Sequence, residues 1–144
     1  MWRQRTLYSS LMPRTERYVI GLVERLLGPA DPVRRFVWAV GDPSPTTGRR
    51  SLLPFDGVWE ARKLIVEVDE EQHREATPFF DKTHKLTVSG VHRGEQRRRY
   101  DQLKRAAAVA NGYRLVAIPW SRKRRPQPGD LDEVRAILGA AGVV

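Results

Sequence analysis

No cysteine occurs among the 144 residues. That excludes disulfides, thiolate zinc sites and cysteine nucleophiles. Histidine is scarce too, with His73, His84 and His92 the whole complement, so a zinc site is not expected. No apolar run approaches the roughly 18 residues needed to span a bilayer. The opening MWRQRTLYSSLMPR is basic without a continuous apolar segment, so no signal peptide is expected. No internal repeat is visible. These absences leave a soluble, cytoplasmic protein as the default.

Positive charge is what the chain has in surplus. Lys and Arg number 26 against 17 Asp and Glu, for a net charge of +9. Such a surplus favours a polyanionic partner, because each phosphate contact releases condensed counterions. The length suits one domain with one hydrophobic core. We read residues 1–144 as a single unit: a basic arm over 1–12, a core over 13–120, a basic linker over 121–129 and a C-terminal helix over 130–144.

Hydrophobic periodicity and turn residues give the elements. A helix is expected from near Pro13 through TERYVIGLVERLL to Gly28-Pro29. Val19, Val23 and Leu27, with Tyr18, Leu22 and Leu26, form its buried stripe, and Glu16 lies at the edge of that stripe. RFVWAV (35–40) reads as a strand, GDPSPTTGRR as a loop, SLLPFDGVW as a second strand and EARK as a short turn. LIVEVD (64–69) is the strongest strand signal in the chain. RGEQRRRYDQLKRAAAVA reads as a helix with Tyr100, Leu103, Ala107 and Ala110 inward, ending at a left-handed Asn111-Gly112 cap. YRLVAIPW (113–120) is a further buried strand. Asp130 with Glu133 reads as the capped start of a last helix. The order is α-β-β-β-(irregular)-α-β-α, an α/β domain with a mixed β-sheet flanked by helices.

The turn EARK fixes a register. With four loop residues, Trp59 faces Leu64 and Asp56 faces Glu67, their Cβ atoms about 4.5–5.5 Å apart. Alternation puts Asp69 on the face of Glu67. Like charges directly opposed are destabilising, and a divalent cation relieves the conflict, because carboxylate oxygens suit Mg²⁺. Pairing with arginine is the alternative, and a one-residue slip in the loop would separate the two.

Asp56, then Glu67 eleven residues on in VEVDEEQH, then a basic amphipathic helix and a buried strand, resemble the PD-(D/E)XK, restriction-endonuclease-like nuclease superfamily. The segment is most similar to small very-short-patch-repair-like endonucleases, with Tyr100-Asp101-Gln102-Leu103-Lys104 and Gly112-Tyr113-Arg114-Leu115-Val116 in the places of their later motifs. The resemblance covers about residues 13–120. It implies a restriction-endonuclease-like core and a Mg²⁺-dependent DNA endonuclease, Mn²⁺ substituting, in repair, restriction or defence, or recombination. It implies Asp56, Glu67 and Asp69 as metal ligands, with Gln72, His73 and Glu16 completing the catalytic set. His73 would move a proton. The family's usual lysine two residues after the second acid is replaced by Asp69, Glu70 and Glu71 stand where small glycines are usual, and 74–96 is longer than the usual connection. Lys104 is either a displaced lysine reaching the site from the helix or a solvated charge. A true very-short-patch-repair assignment is weakened by the missing cysteines, since those enzymes carry a structural zinc.

Three basic clusters are candidates for gripping DNA phosphates: Arg49 and Arg50; Arg97, Arg98, Arg99, Lys104 and Arg105; and Arg122, Lys123, Arg124 and Arg125. A homodimer is compatible with the length. The competing expectations are a catalytically inactive nucleic-acid-binding module on the same fold and a nuclease subunit of a larger assembly.

Overall fold

The computed structural model describes residues 13–70 and 93–144. Over these residues the chain is mixed α/β, with three helices and two small sheets. Helix α1 (Arg14–Leu27) leads into β1 (Arg35–Pro43) and β2 (Arg50–Pro54), which pair antiparallel as a two-stranded ribbon. Then come β3 (Gly57–Trp59), a 3₁₀ turn (Glu60–Arg62) and β4 (Leu64–Glu70). Helix α2 (Arg93–Ala110), β5 (Arg114–Trp120) and α3 (Asp130–Ala140) complete the order. The second sheet runs β3-β4-β5, antiparallel between β3 and β4 and parallel between β4 and β5.

SLLPFDGVW is not one strand, and the sheet is not single. The break falls at Pro54-Phe55-Asp56. Proline brings no N–H to a ladder, and the Phe55 amide turns to the carbonyl of Arg34 at 2.9 Å. Phe55 is fully buried there. The chain then enters β3 in a different sheet, and Asp56 sits at the corner.

Alternation along β4 sorts its side chains between two cores. Leu64, Val66 and Val68 pack with Val19, Ile20, Leu22 and Val23 of α1 and with Val134 and Leu138 of α3. Ile65 faces the other way, toward Ala39, Phe55, Val58 and Ala108. Each fully buried Val, Leu or Ile contributes about 1.5–3 kcal/mol, so both faces anchor the strand. Glu67 and Asp69 continue the Ile65 face, where the second core gives out into an open cleft. Close packing at the corner requires Gly57: a Cβ there would lie 2.8 Å from Trp59 Cζ3 and 2.9 Å from Ile20 Cδ1.

The helix ends follow local chemistry. Gly112 takes φ +85° after α2, as the Asn-Gly signal predicts, and the Tyr113 amide returns to the Ala108 carbonyl at 3.0 Å. Asp130, by contrast, is no N-cap. Its carboxylate is drawn away from the helix start by Tyr18 Oη (2.7 Å) and Arg124 Nη2 (2.5 Å), and it accepts the Gln127 amide (2.8 Å). Among the described residues, no helix is long and apolar enough to cross a membrane.

Candidate active site

The hairpin register is the one the turn length dictates: Trp59 pairs with Leu64, Val58 with Ile65 and Gly57 with Val66. Lys63 takes a left-handed conformation, φ +50°, and its amide closes the turn on the Glu60 carbonyl at 3.0 Å. One step beyond β3, Asp56 reaches Glu67. The Asp56 amide donates to Glu67 Oε2 at 3.1 Å, and the Val68 amide donates to Asp56 Oδ2 at 2.7 Å. The two carboxyl groups are hydrogen-bonded to each other as well.

Helix α2 supplies the countercharge. Lys104 Nζ pairs with Glu67 Oε1, and both side chains are largely withdrawn from water, at 14% and 15% exposure. The same ammonium lies 5.0 Å from the centre of the Phe55 ring, an arrangement in which the aromatic face favours the cation. Lys104 is therefore not a solvated helix-face charge. The inward face of α2 differs from the expected one: Ala108 is buried and Arg97, Tyr100, Asp101 and Lys104 are half-buried, whereas Leu103 is 40% exposed and Ala110 is exposed. The helix borders a cleft rather than a core along this stretch, so polar residues occupy its inner side.

The cleft has a volume of about 430 Å³. Asp56, Glu67 and Asp69 line it, Glu16 enters from the first turn of α1, and Arg34, Arg35, Arg97 and Arg105 stand around it. Glu16 hydrogen-bonds Asp56. Burial, with further contributions from the Glu70 and Glu67 charges, raises the Glu16 carboxyl above its ordinary range. Burial pushes Asp56 up to about 6, with the Glu16 charge adding to it, against the lowering effect of the Glu67 hydrogen bond and the Val68 amide. Glu67 rises to about 8, chiefly from burial and then from the Asp56 charge, although Lys104 draws it down. Burial and repulsion from neighbouring carboxylates thus raise both carboxyl groups, Glu67 more than Asp56.

Comparison with protein-family models, with curated proteins and with solved structures finds no match to this chain. Among the described residues, no group of three or more Asp, Glu, His or Cys is preassembled to hold a metal ion. Mg²⁺ does not demand one: it keeps several waters and is bound through one or two carboxylates together with substrate phosphates. A facing pair of carboxyl groups at an open cleft lined by cations able to hold phosphates fits that requirement.

The remaining candidates divide. Glu16, Asp56, Glu67 and Asp69 share the cleft, while Gln72 and His73 lie outside the described residues, as do the arm 1–12 and most of 74–96. Of the α2 basic run, Arg97, Lys104 and Arg105 line the cleft, and Arg98 and Arg99 are exposed away from it. Arg122 Nε pairs with Glu70 Oε2 at 2.8 Å, and Arg124 with Asp130 and Glu133 while lying 3.9 Å over the Trp120 ring. Those two arginines brace the β5–α3 connection; Arg122, Lys123 and Arg125 are exposed and Arg124 is half-buried. Glu70 is 2% exposed and lies on the opposite face of β4 from Glu67; it does not line the cleft, although its charge still reaches Glu16. Sequence reasoning missed Arg34 and Arg35. Their signal was position: Arg34 immediately precedes β1 and Arg35 opens it, paired with Pro54 at the end of β2, next to the Phe55-Asp56 corner.

Proposed function

We propose that this chain is a Mg²⁺-dependent DNA endonuclease with a restriction-endonuclease-like core, hydrolysing phosphodiester bonds in the cleft between β4 and α2. One observation carries the reading: two facing carboxylates, Asp56 and Glu67, share their site with a shielded lysine and are ringed by arginines. Asp56 and Glu67 are the ligands for the ion, and Asp69 is placed one strand position pair further along the same face. When bound, the ion supplies Lewis acidity, lowering the pKa of water and neutralising charge on the phosphoryl oxygen.

The chain's own residues supply the rest. Glu16, held above its ordinary pKa and joined to Asp56, accepts the proton of the attacking water. That water's oxygen bonds to phosphorus as the bond to the leaving deoxyribose oxygen breaks, and the departing alkoxide takes a proton from solvent water, giving a phosphomonoester and a hydroxyl end. Lys104 places a positive charge beside the pentacovalent arrangement, within a site where burial strengthens it. Arg34, Arg35, Arg97 and Arg105 hold the flanking phosphates.

A plasmid-nicking assay in Mg²⁺, Mn²⁺ and EDTA tests the proposal. Nicking by wild type in either metal, abolished by EDTA and by Asp56→Asn, supports it. A purified, folded chain that binds but never nicks DNA removes it. That second outcome is the binding-module reading, favoured by the Lys104–Glu67 pair, which neutralises Glu67 without a metal.

A further inference from the structure

As strands, β1 and β2 pair only with each other among the described residues. A two-stranded ribbon is marginal by itself in water, and this one is fastened at both ends. On its inner face Phe36 stacks on Trp38, with centroids 4.6 Å apart, and both rings pack against Phe55 and Tyr113. Toward its tip, Tyr100 Oη accepts the Asp42 amide at 2.9 Å and donates to the Asp42 carboxylate at 3.2 Å. The ribbon is thereby held to α2, the helix that carries Lys104.

Its outer face has no such partner. Val37, the third residue of β1, is 83% exposed; Arg35 near it, and Arg49 and Arg50 at the tip end of the ribbon, are exposed as well. The tip is closed by hydrogen bonds from the Ser44 amide to the Arg49 carbonyl (2.8 Å) and from the Gly48 amide to the Ser44 carbonyl (2.9 Å). Arg35 Nη1 donates to the Leu52 carbonyl at 2.6 Å and Arg50 Nη1 to the Gly41 carbonyl at 3.2 Å. Each guanidinium has five N–H donors, so an orienting bond leaves others available. The only carboxylate between Val33 and Pro54 is Asp42, and Tyr100 covers it. This face is cationic with one apolar centre, and its root, at Arg34, Arg35, Leu53 and Pro54, lines the cleft of Asp56 and Glu67.

We propose that the β1–β2 ribbon enters the major groove of double-stranded DNA, with Arg49 and Arg50 at phosphates or base edges and Val37 against them, so that the adjoining backbone reaches the cleft. The major groove, about 12 Å wide, admits a two-stranded ribbon, and thymine methyls there accept apolar contact. Strands about 4.8 Å apart fit that width. The charge of the face selects a polyanion over a second copy of this basic chain. The inference rests on the nuclease reading for its substrate, but its test does not depend on cleavage.

The test is fluorescence anisotropy with a labelled duplex in EDTA, where no cut is made. Wild type is expected to bind the duplex more tightly than its single strand. Replacing cytosine by glucosylated hydroxymethylcytosine, which fills the major groove, is expected to weaken binding on the order of tenfold or more, while saturating the minor groove with netropsin leaves it unchanged. Val37→Glu alters a solvent-facing residue and is expected to lose on the order of tenfold in affinity. Arg49→Ala/Arg50→Ala is expected to reduce the salt slope by up to about 2. Competition by netropsin, indifference to glucosylation, or wild-type binding by both variants overturns the proposal, as does a sedimentation result in which Val37→Glu splits a wild-type dimer. Major-groove binding without nicking in Mg²⁺ would leave the ribbon assignment standing and remove the nuclease.

Discussion

Asp56 and Glu67 hold one another through the backbone as well as through their carboxyl groups: the Asp56 amide donates to Glu67, and Asp56 in turn accepts the amide next to Glu67, that of Val68. The pair ties the corner between β2 and β3 to β4, so its geometry does not depend on a bound ion. An amide side chain in either place keeps an oxygen to accept the backbone N–H.

Asp56→Asn and Glu67→Gln are therefore expected to fold normally and to lose cleavage by at least 10²–10³-fold, roughly the effect of removing one strong electrostatic element from a site. Circular dichroism and nicking rates in Mg²⁺ check this. Two folded variants that cut at the wild-type rate would take these residues out of the chemistry.

The same pair makes metal-free stability depend on pH. Folding lifts Asp56 from 3.8 to about 6 and Glu67 from 4.5 to about 8. Between those limits the folded state binds more protons than the unfolded chain, so stability falls as pH rises. The contribution is complete below about pH 4 and lost by the time pH passes 8. Thermal unfolding in EDTA is expected to show Tm declining from pH 5 to 8.5. Glu67→Gln should flatten that decline, recovering on the order of a few kcal/mol at the alkaline end. Mg²⁺ should flatten it too, and should release protons as it binds, because ligands must be deprotonated. Isothermal titration in buffers of different ionisation enthalpy measures that release, and its absence at pH 7 would contradict a carboxylate-bound ion.

Lys104 lowers the Glu67 carboxyl toward ionisation. Lys104→Met keeps a long unbranched side chain but removes the charge beside Glu67, so the Glu67 carboxyl climbs further. The expected result is slower cleavage at pH 7, with the rate–pH profile moved to the alkaline side. A uniform loss of rate at every pH would mean that Lys104 acts on the phosphate alone.

How much of this was legible in the sequence depends on the kind of signal. The facing of Asp56 and Glu67 followed from a loop of four residues, because antiparallel register is arithmetic once the turn is known. Lys104 was not legible to the same degree. In RGEQRRRYDQLKRAAAVA only Tyr100, Leu103 and small alanines report an inner face, and the structure turns Leu103 outward so that Arg97, Tyr100 and Lys104 face the cleft. Apolar periodicity cannot find a helix face that borders a charged site. Pro54 was visible but was read through, although a missing donor is the physical reason β2 and β3 belong to different sheets. Arg122 and Arg124 looked like free cations because their partners, Glu70 and Asp130, are brought to them only by the fold.

Asp130 supplies the opposite pH limb. Burial by itself would raise its carboxyl, but the Gln127 amide, the Tyr18 hydroxyl and Arg124 together more than offset that and leave it below its ordinary value. A depressed folded pKa gives stability that is present above the unfolded value near 3.8 and lost as pH falls through the folded one. Asp130 lies 1% exposed where α1, β5 and α3 meet, so its loss strands Tyr18 and Arg124. Asp130→Ala is expected to cost about 2–4 kcal/mol, read from urea unfolding at pH 7. Asp130→Asn, which keeps an acceptor but not the charge, should cost less and should weaken the acid dependence below pH 4. The Glu67→Gln variant should leave that acid limb intact. If both substitutions altered the same limb, the assignment of the two pH dependences to two separate sites would be wrong.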